Sequence, residues 1–478
     1  MKAYDKQYIN GQWVQGGSDD VLEDINPFTG EVLYTYHAAS KDDLDAAYAA
    51  AKAAQKPWGE TAPGERVALL EGLIATIQSM QDEIYSVLQE EGGSAKSKAD
   101  FEFGTIQAIV REACKFPYMM NGIIQPSDIP GKDNCIIRQP KGVICTIAPW
   151  NVPLVLAMRS VVPAVACGNA VVLKPASDTP ATAFLIAEMF ERAGFPAGLV
   201  NAIAGKGSVI GDAIVEHPAA DLISFTGSTE VGRRIGEVAG KMIKDVSLEL
   251  GGNNVMIVLS DADLAAAARA AAFGGYFNAG QVCMAINRII VMNDVYDAFA
   301  EELIAAVKAL PVGNPQDDRV FIGPIISKKQ VESVEDYVRS TIESGAGVAL
   351  EGYTVGNVIY PWILNNVTND MPSAKNEVFG PVVSLMHASS EDEAIAIAND
   401  TEYGLSGSLF TRDLYHGMQV AKRIDSGMVH VNDQSINDEP HVMFGGVKRS
   451  GIGRFNGEWV MNKFTTQRWI SVQQEYRF

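Results

Sequence analysis

The chain has 478 residues, of which 47% are hydrophobic, and a formal net charge of −20. A chain this long divides into two or three domains, and its apolar fraction is that of a globular protein with a large core. Its acidity argues against nucleic acid as a partner, because phosphates demand a basic face.

The five cysteines, Cys114, Cys135, Cys145, Cys167 and Cys283, include no C-x-x-C pair. Neither a metal site nor a disulfide framework is expected from them. Reduced thiols in the cytoplasm fit better. The opening stretch, MKAYDKQYINGQW, has no apolar run, so no signal peptide is expected. The most apolar region, 142–174, is interrupted by Pro149, Asn151, Pro153, Arg159 and Pro163. It reads as a buried strand followed by a buried helix, not as a membrane span.

In chain order, Asn26-Pro27 and Gly30 mark a turn, and Ser40 with Asp43 reads as a capping box opening a helix over 40–54. One amphipathic stretch follows over about 65–90. The Pro- and Gly-rich segment 121–139 reads as a β-hairpin excursion. From Gly142 onward strands and helices alternate. VICTI (143–147), AVVLK (170–174), LVNAI (199–203) and LISF (222–225) read as strands. Helices are expected over 154–166 and 181–193, and after Gly207 and Ser228. This alternation predicts an α/β fold with a parallel sheet covered on both faces. A strand at 254–259, a helix at 263–273 and renewed alternation to about residue 425 predict a second α/β domain. The β-prone tail 464–472 cannot bury itself alone. It pairs either with the 121–139 excursion or with a neighbouring subunit.

Six places could carry chemistry. Gly205, Gly207 and Gly211 follow a strand with spacing G-x-G-x-x-x-G, one residue longer than the dinucleotide fingerprint. They suit either a pyrophosphate at a helix N-terminus or a simple tight turn. Cys283, in GQVCMA, follows polar and glycine residues. It is either a loop nucleophile or a core thiol. Glu249, in SLELGGNN, ends an apolar strand. It is either a general base with a raised pKa or a carboxylate reaching solvent. Asn151, in APWNVP, sits in a proline-bracketed turn. It either donates to an oxyanion or serves turn geometry. Lys174 stands at the C-terminal end of a strand, the edge where open α/β sheets bind ligands, and is otherwise an exposed lysine. Glu377, in NEVFGP, is a similar case.

Taken together, eight stretches resemble the aldehyde dehydrogenase superfamily. They are APWNVP (148–153), GNAVVLKPA (168–176), FTGSTEVG (225–232), LELGGNN (248–254), GQVC (280–283), NEVFGPVV (376–383), YGLSGSLFT (403–411) and FGGVKRSGIGR (444–454). They fall in the family's order and cover nearly the whole chain. The resemblance implies a Rossmann-like cofactor domain (1–120 and 142–250), a catalytic domain (251–425) and a small β oligomerisation element (121–141 and 460–478). It returns 426–459 to the cofactor domain and the active-site tunnel. It implies NAD or NADP as cofactor, a small-molecule aldehyde as substrate, no membrane partner, and a homodimer or homotetramer.

The resemblance also supplies roles. Cys283 becomes the nucleophile and Glu249 the general base. Asn151, with the Cys283 backbone N–H, forms the oxyanion hole. Lys174 and Glu377 hold the cofactor riboses. Phe379 packs near the nicotinamide, and Gly207, Gly211 and Ser228 line the pyrophosphate site. Ile147, Trp150, Phe225 and Gly227 belong beside the cofactor. Ser177 stands where NAD-selective relatives commonly carry glutamate, so NAD is expected with tolerance of NADP.

MRSVVPAVACGN (158–169) and VNDQSINDEPHVMFGG (431–446) resemble the bacterial benzaldehyde and vanillin dehydrogenase branch. This implies an aromatic aldehyde, with Val152, Leu156, Arg159, Ile436 and His441 at the substrate wall. Arg159 is either a surface or interface arginine paired with a carboxylate, or a ligand for a ring substituent or for the distal carboxylate of a semialdehyde. A guanidinium binds a carboxylate in a bidentate way, which keeps a semialdehyde open as substrate. A cysteine hydrolase needs a histidine beside Cys283. None of His37, His217, His387, His416, His430 and His441 has a recognisable context for that. CoA-acylating relatives generally lack a glutamate where Glu249 stands.

Overall fold

Apolar runs without alternation, such as Val143–Ile147 and Ala170–Lys174, can satisfy both faces only inside a covered parallel sheet. In the computed structural model, which describes residues 2–478, they lie at the centre of an eight-stranded sheet. Its parallel part runs Val200–Ala202, Ala170–Lys174, Val143–Ile147, Leu222–Thr226 and Asp245–Glu249. Antiparallel strands close its edges, Gln7–Ile9 and Gln12–Val14 on one side and Gly451–Ile452 on the other. Parallel register puts Lys174, Ile147 and Phe225 in one row at the C-terminal edge.

A second, seven-stranded sheet runs Gly347–Leu350, Trp362–Asn365, Val382–Ala388, Ile286–Met292, Asn254–Val258, Ser406–Phe410 and Met428–Val431. All its pairings are parallel except that of the first two strands. Each sheet has its own buried apolar cluster. A third sheet of three antiparallel strands joins Ile123–Gln125, Lys132–Pro140 and Thr465–Gln473. The tail thus pairs with the excursion of its own chain.

Several boundaries differ from the sequence expectation. The capping box at Ser40 and Asp43 is formed, but its helix runs on through Pro57 as Lys41–Glu60. The stretch 65–90 is two helices, Pro63–Ser79 and Gln81–Glu90, broken at Met80. After Gly207 the chain makes a wide π-type turn, Gly207–Gly211, before the short helix Asp212–Glu216. The segment 426–459 does not return whole to the first sheet. Met428–Val431 pairs with Ser406–Phe410 in the second sheet, and only Gly451–Ile452 joins the first, beside Leu248 and Glu249. Among the described residues no helix is long and apolar enough to cross a membrane.

Candidate active site

A cavity of about 280 Å³ opens between the two large sheets. The first sheet contributes the loops that leave its strands at the C-terminal edge. The turn after Val143–Ile147 brings Trp150 and Asn151, and the turn after Leu222–Thr226 brings Gly227 and Ser228. The Ser228 hydroxyl accepts from Val231 N at 3.4 Å and caps helix Thr229–Lys241. From the opposite side come Cys283, Gln330, Tyr337, Glu377 and Phe379.

The loop bearing Cys283 is held in a costly backbone shape. Asn278 and Ala279 are left-handed, at φ 52° and 56°, and Gly280 follows at φ 72°. At Gly280 a β-carbon would stand 2.1 Å from the Gly380 carbonyl oxygen, so a side chain there is excluded. Side-chain amides hold the shape. Asn278 Nδ2 donates to the carbonyls of Asn151 (3.0 Å) and Gln281 (3.3 Å). Gln281 Nε2 donates to the carbonyls of Asn278 (3.1 Å) and Pro324 (3.2 Å), and its Oε1 accepts from Ile326 N (2.9 Å). Asn254 Nδ2 donates to the carbonyls of Cys283 (2.7 Å) and Ala285 (2.9 Å). Asn151 Nδ2 donates to the Gln281 carbonyl at 3.0 Å. One amide hydrogen thereby orients the side chain, and an amide nitrogen carries two.

Cys283 borders the cavity yet lies deep in the molecule. Burial pushes its thiol up to about 12, aided by the carboxylates of Glu377, Glu249 and Asp438 and opposed by Arg159. Glu249 ends its strand 3% exposed, and neither carboxylate oxygen has a hydrogen-bond partner in the protein. Burial pushes its carboxyl up to about 8, with Arg159 and Arg454 pulling the other way. Glu377 Oε1 accepts from Gly252 N at 3.0 Å, and burial holds its carboxyl at about 7. A β-carbon on Gly251 would stand 2.3 Å from Glu377 Oε2. Phe379, itself left-handed at φ 54°, meets the Trp150 ring edge-on at 5.4 Å and 88°.

Of the expected cofactor residues, Trp150, Gly227, Ser228, Glu377 and Phe379 line this cavity. The others lie outside it along the same sheet edge. Lys174 Nζ donates to the Pro175 carbonyl at 3.1 Å, and burial pulls its pKa down. Ser177 is exposed on the loop that follows. A β-carbon on Gly207 or Gly211 would have open space around it.

Of the expected substrate residues, Leu156 lines the cavity, and Val152 and Ile436 are buried in the apolar cluster that also holds Phe444. His441 is not among the residues that line the cavity. It sits on the turn closed by Val442 N and the Glu439 carbonyl (2.9 Å), and its side chain is 61% exposed. Arg159 is neither a surface residue nor an unpaired cation. It forms an ion pair with Asp438, the two side chains being 4% and 3% exposed, and the Phe444 ring covers it at 4.1 Å. Asp438 Oδ1 also accepts from Asn456 Nδ2 at 2.9 Å. In the sequence Asn278 and Gln281 stood out only as polar neighbours of Cys283, and Asn254 and Asp438 were given no role. The one signal available was an excess of amides and acids in segments that had to be buried.

None of the six histidines lines the Cys283 cavity. The aldehyde dehydrogenase family model matches residues 13–470. The chain belongs to the aldehyde dehydrogenase family. Vanillin dehydrogenase of Corynebacterium glutamicum is 47% identical over 472 residues, covering 98% of each chain. Benzaldehyde dehydrogenase YfmT of Bacillus subtilis is 48% identical over 474 residues, 99% of this chain and 98% of the relative. The crystal structure of a NAD-dependent benzaldehyde dehydrogenase from Corynebacterium glutamicum matches with a TM-score of 0.92 at 43% identity, over 99% of this chain and 98% of that one. The α/β architecture with a Rossmann-like first sheet is therefore the family's own.

Proposed function

We propose that this aldehyde dehydrogenase oxidises an aromatic aldehyde of the benzaldehyde or vanillin type to its carboxylic acid, using NAD and tolerating NADP. The observation that carries the substrate class is the state of Arg159. Its charge is already paired with Asp438 and its face is covered by Phe444. Leu156 lines the cavity at Cys283, and Val152, Ile436 and Phe444 belong with it to the buried apolar cluster against which Cys283 packs. Such surroundings favour an aryl ring, at ~25 cal/mol per Å² of apolar surface buried, over the second carboxylate of a semialdehyde. The full-length likeness to vanillin and benzaldehyde dehydrogenases supports the same reading.

A nicotinamide cofactor, when bound, supplies the hydride acceptor. The residues present suit it. A helix N-terminus at Ser228 and an open sheet edge favour a pyrophosphate. Lys174 and Glu377 offer a donor and an acceptor for ribose hydroxyls, Ile147 and Phe225 a floor between them, and Gly207 and Gly211 room for close approach. At rest Cys283 is a thiol, and its proton passes to the ionised form of Glu249, the buried base whose carboxyl burial raises to about 8, and from there to solvent before water is activated. The sulfur then bonds to the aldehyde carbon. The oxyanion that forms is received by the second N–H of Asn151 and the Cys283 backbone N–H, a contribution of ~3 kcal/mol per donor. Loss of hydride leaves Cys283 as a thioester. Glu249 takes a proton from water as its oxygen attacks. The carbon–sulfur bond breaks, the acid leaves, and the departing sulfur takes the proton back from Glu249, which restores the thiol and the carboxylate.

Ile124, Trp469 and Val472, exposed on the three-stranded sheet, support assembly into a homodimer or homotetramer there. Five free cysteines fit the cytoplasm. The test is a panel of benzaldehyde, vanillin, a short aliphatic aldehyde and succinic semialdehyde, each with NAD and NADP, read by absorbance of the reduced cofactor. Benzaldehydes should be preferred, and Cys283→Ser should abolish turnover with all of them. A parent enzyme that oxidises succinic semialdehyde far better than any benzaldehyde refutes the substrate assignment.

A further inference from the structure

Helix Pro153–Ala166 starts two residues after Asn151 and carries Leu156 and Arg159, yet it has no side-chain cap of its own. Its first residue is proline, which has no N–H to satisfy. The next two N–H groups, of Leu154 and Val155, are buried and need an acceptor. A carboxylate from another helix, Lys96–Ala113, supplies it. Glu102 Oε2 lies 3.0 Å from Leu154 N and 3.2 Å from Val155 N. The other oxygen of Glu102 pairs with Lys98 Nζ at 2.5 Å, and Lys98 donates to Ser94 Oγ at 2.8 Å. Glu102 is 0% and Lys98 1% exposed. The construction recurs in the next helix of the sheet. Pro180–Arg192 also starts with proline and lacks its own cap, and Glu91 accepts from Ala181 N and from Thr182 N.

We infer that Glu102 is a positioning residue for Asn151. Two constraints fix Asn151 relative to Cys283. One is its hydrogen bonding to the 278–281 loop. The other is the start of the helix, which Glu102 anchors. Without the carboxylate, two buried N–H groups lose their acceptor and the first turn shifts or unwinds to find another. Asn151 moves with it, and a displacement of about 1 Å at a reacting geometry costs ~100-fold in rate. The inference rests on the proposed role of Asn151 at the oxyanion.

The test uses the full-length enzyme with benzaldehyde. It reads the burst rate of reduced cofactor and, separately, NAD affinity by quenching of protein fluorescence. Glu102→Gln with Lys98→Met keeps an acceptor and removes both charges, and should stay within about threefold of the parent burst rate. Glu102→Leu with Lys98→Met removes the acceptor. It should slow the burst by ~30–100-fold with NAD affinity within about twofold. Adding Asn151→Ala to it should cost less than about threefold more, because both changes disable one interaction. Additive losses, or an unimpaired leucine variant, overturn the inference. An Asn151→Ala variant with parent burst rate refutes instead the oxyanion role on which it rests. If the leucine variant does not fold, Glu102→Asp retracts the carboxylate by one methylene. A slower burst, non-additive with Asn151→Ala, supports the inference, and an unchanged or additive one overturns it.

Discussion

Glu249→Gln should make the protein more stable while it stops turnover, and the stability gain should grow with pH. The buried carboxyl, with a folded-state pKa of about 8, has no hydrogen-bond partner for its charge. In the unfolded chain it ionises near the ordinary glutamate value. Between those two pKa values the folded state binds more protons than the unfolded state, so stability falls as pH rises through that window and levels off above it. At 2.303RT per pKa unit, ionisable Glu249 costs the fold ~1 kcal/mol at about pH 5 and ~4–5 kcal/mol at about pH 8.5. Glutamine has the shape of the neutral acid and carries no such penalty. Other buried acids, such as Glu377 with its pKa of about 7, are common to both proteins and cancel in the difference. The assay is the denaturant midpoint or Tm of parent and variant, measured in parallel across that pH range. The variant's advantage should widen by ~3–4 kcal/mol and then flatten. Its turnover should stall after a single burst of reduced cofactor, since hydride transfer needs no activated water and thioester hydrolysis does. A difference that is constant with pH would show that Glu249 is ionised at ordinary carboxylate pH. Full steady-state turnover would show that another group activates water.

Three further outcomes are expected. Arg159→Leu leaves Asp438 buried without its cation and should cost about 3–5 kcal/mol of stability. Adding Asp438→Leu should recover most of that loss, with the KM for benzaldehyde little changed; a double variant as unstable as the single would show that the pair is not what Arg159 supports. Ser177→Glu should lower the efficiency with NADP about tenfold or more and leave NAD within a few-fold, since a carboxylate there repels a 2′-phosphate. Equal losses with both cofactors would place Ser177 away from the adenosine ribose. Gly251→Ala puts a β-carbon 2.3 Å from Glu377 Oε2, so Glu377 must move. Titration of cofactor fluorescence should show NAD affinity reduced about tenfold, and an unchanged affinity would mean that Glu377 does not hold the cofactor.

The amino-acid sequence by itself determined the central strands and singled out the candidate reactive groups. Val143–Ile147 and Ala170–Lys174 are continuous apolar runs whose fate does not depend on distant residues, because any such run seeks burial on both faces. Cys283 stood out by the polar and glycine residues before it, Glu249 as a carboxylate ending an apolar strand, and Asn151 as an amide in a proline-bracketed turn, and the family resemblance supplied their proposed roles. What local pattern could not reach was decided by pairings across the fold. Arg159 could be weighed as a ligand for a carboxylate only until Asp438, 279 positions away, was found beside it. His441 was set among the substrate residues by its neighbours in sequence, but a turn at Glu439 carries its side chain outward. The segment 426–459 divides between two sheets because Met428–Val431 finds its partner in Ser406–Phe410, whereas Gly451–Ile452 finds Leu248 and Glu249. The left-handed backbone is one that Asn278 tolerates but that Ala279 has no preference of its own to announce, and it persists because amides and carbonyls from Asn151, Gln281 and Pro324 meet there. Periodicity and propensity report what a residue needs. Which group satisfies that need is set by packing that brings together residues hundreds of positions apart.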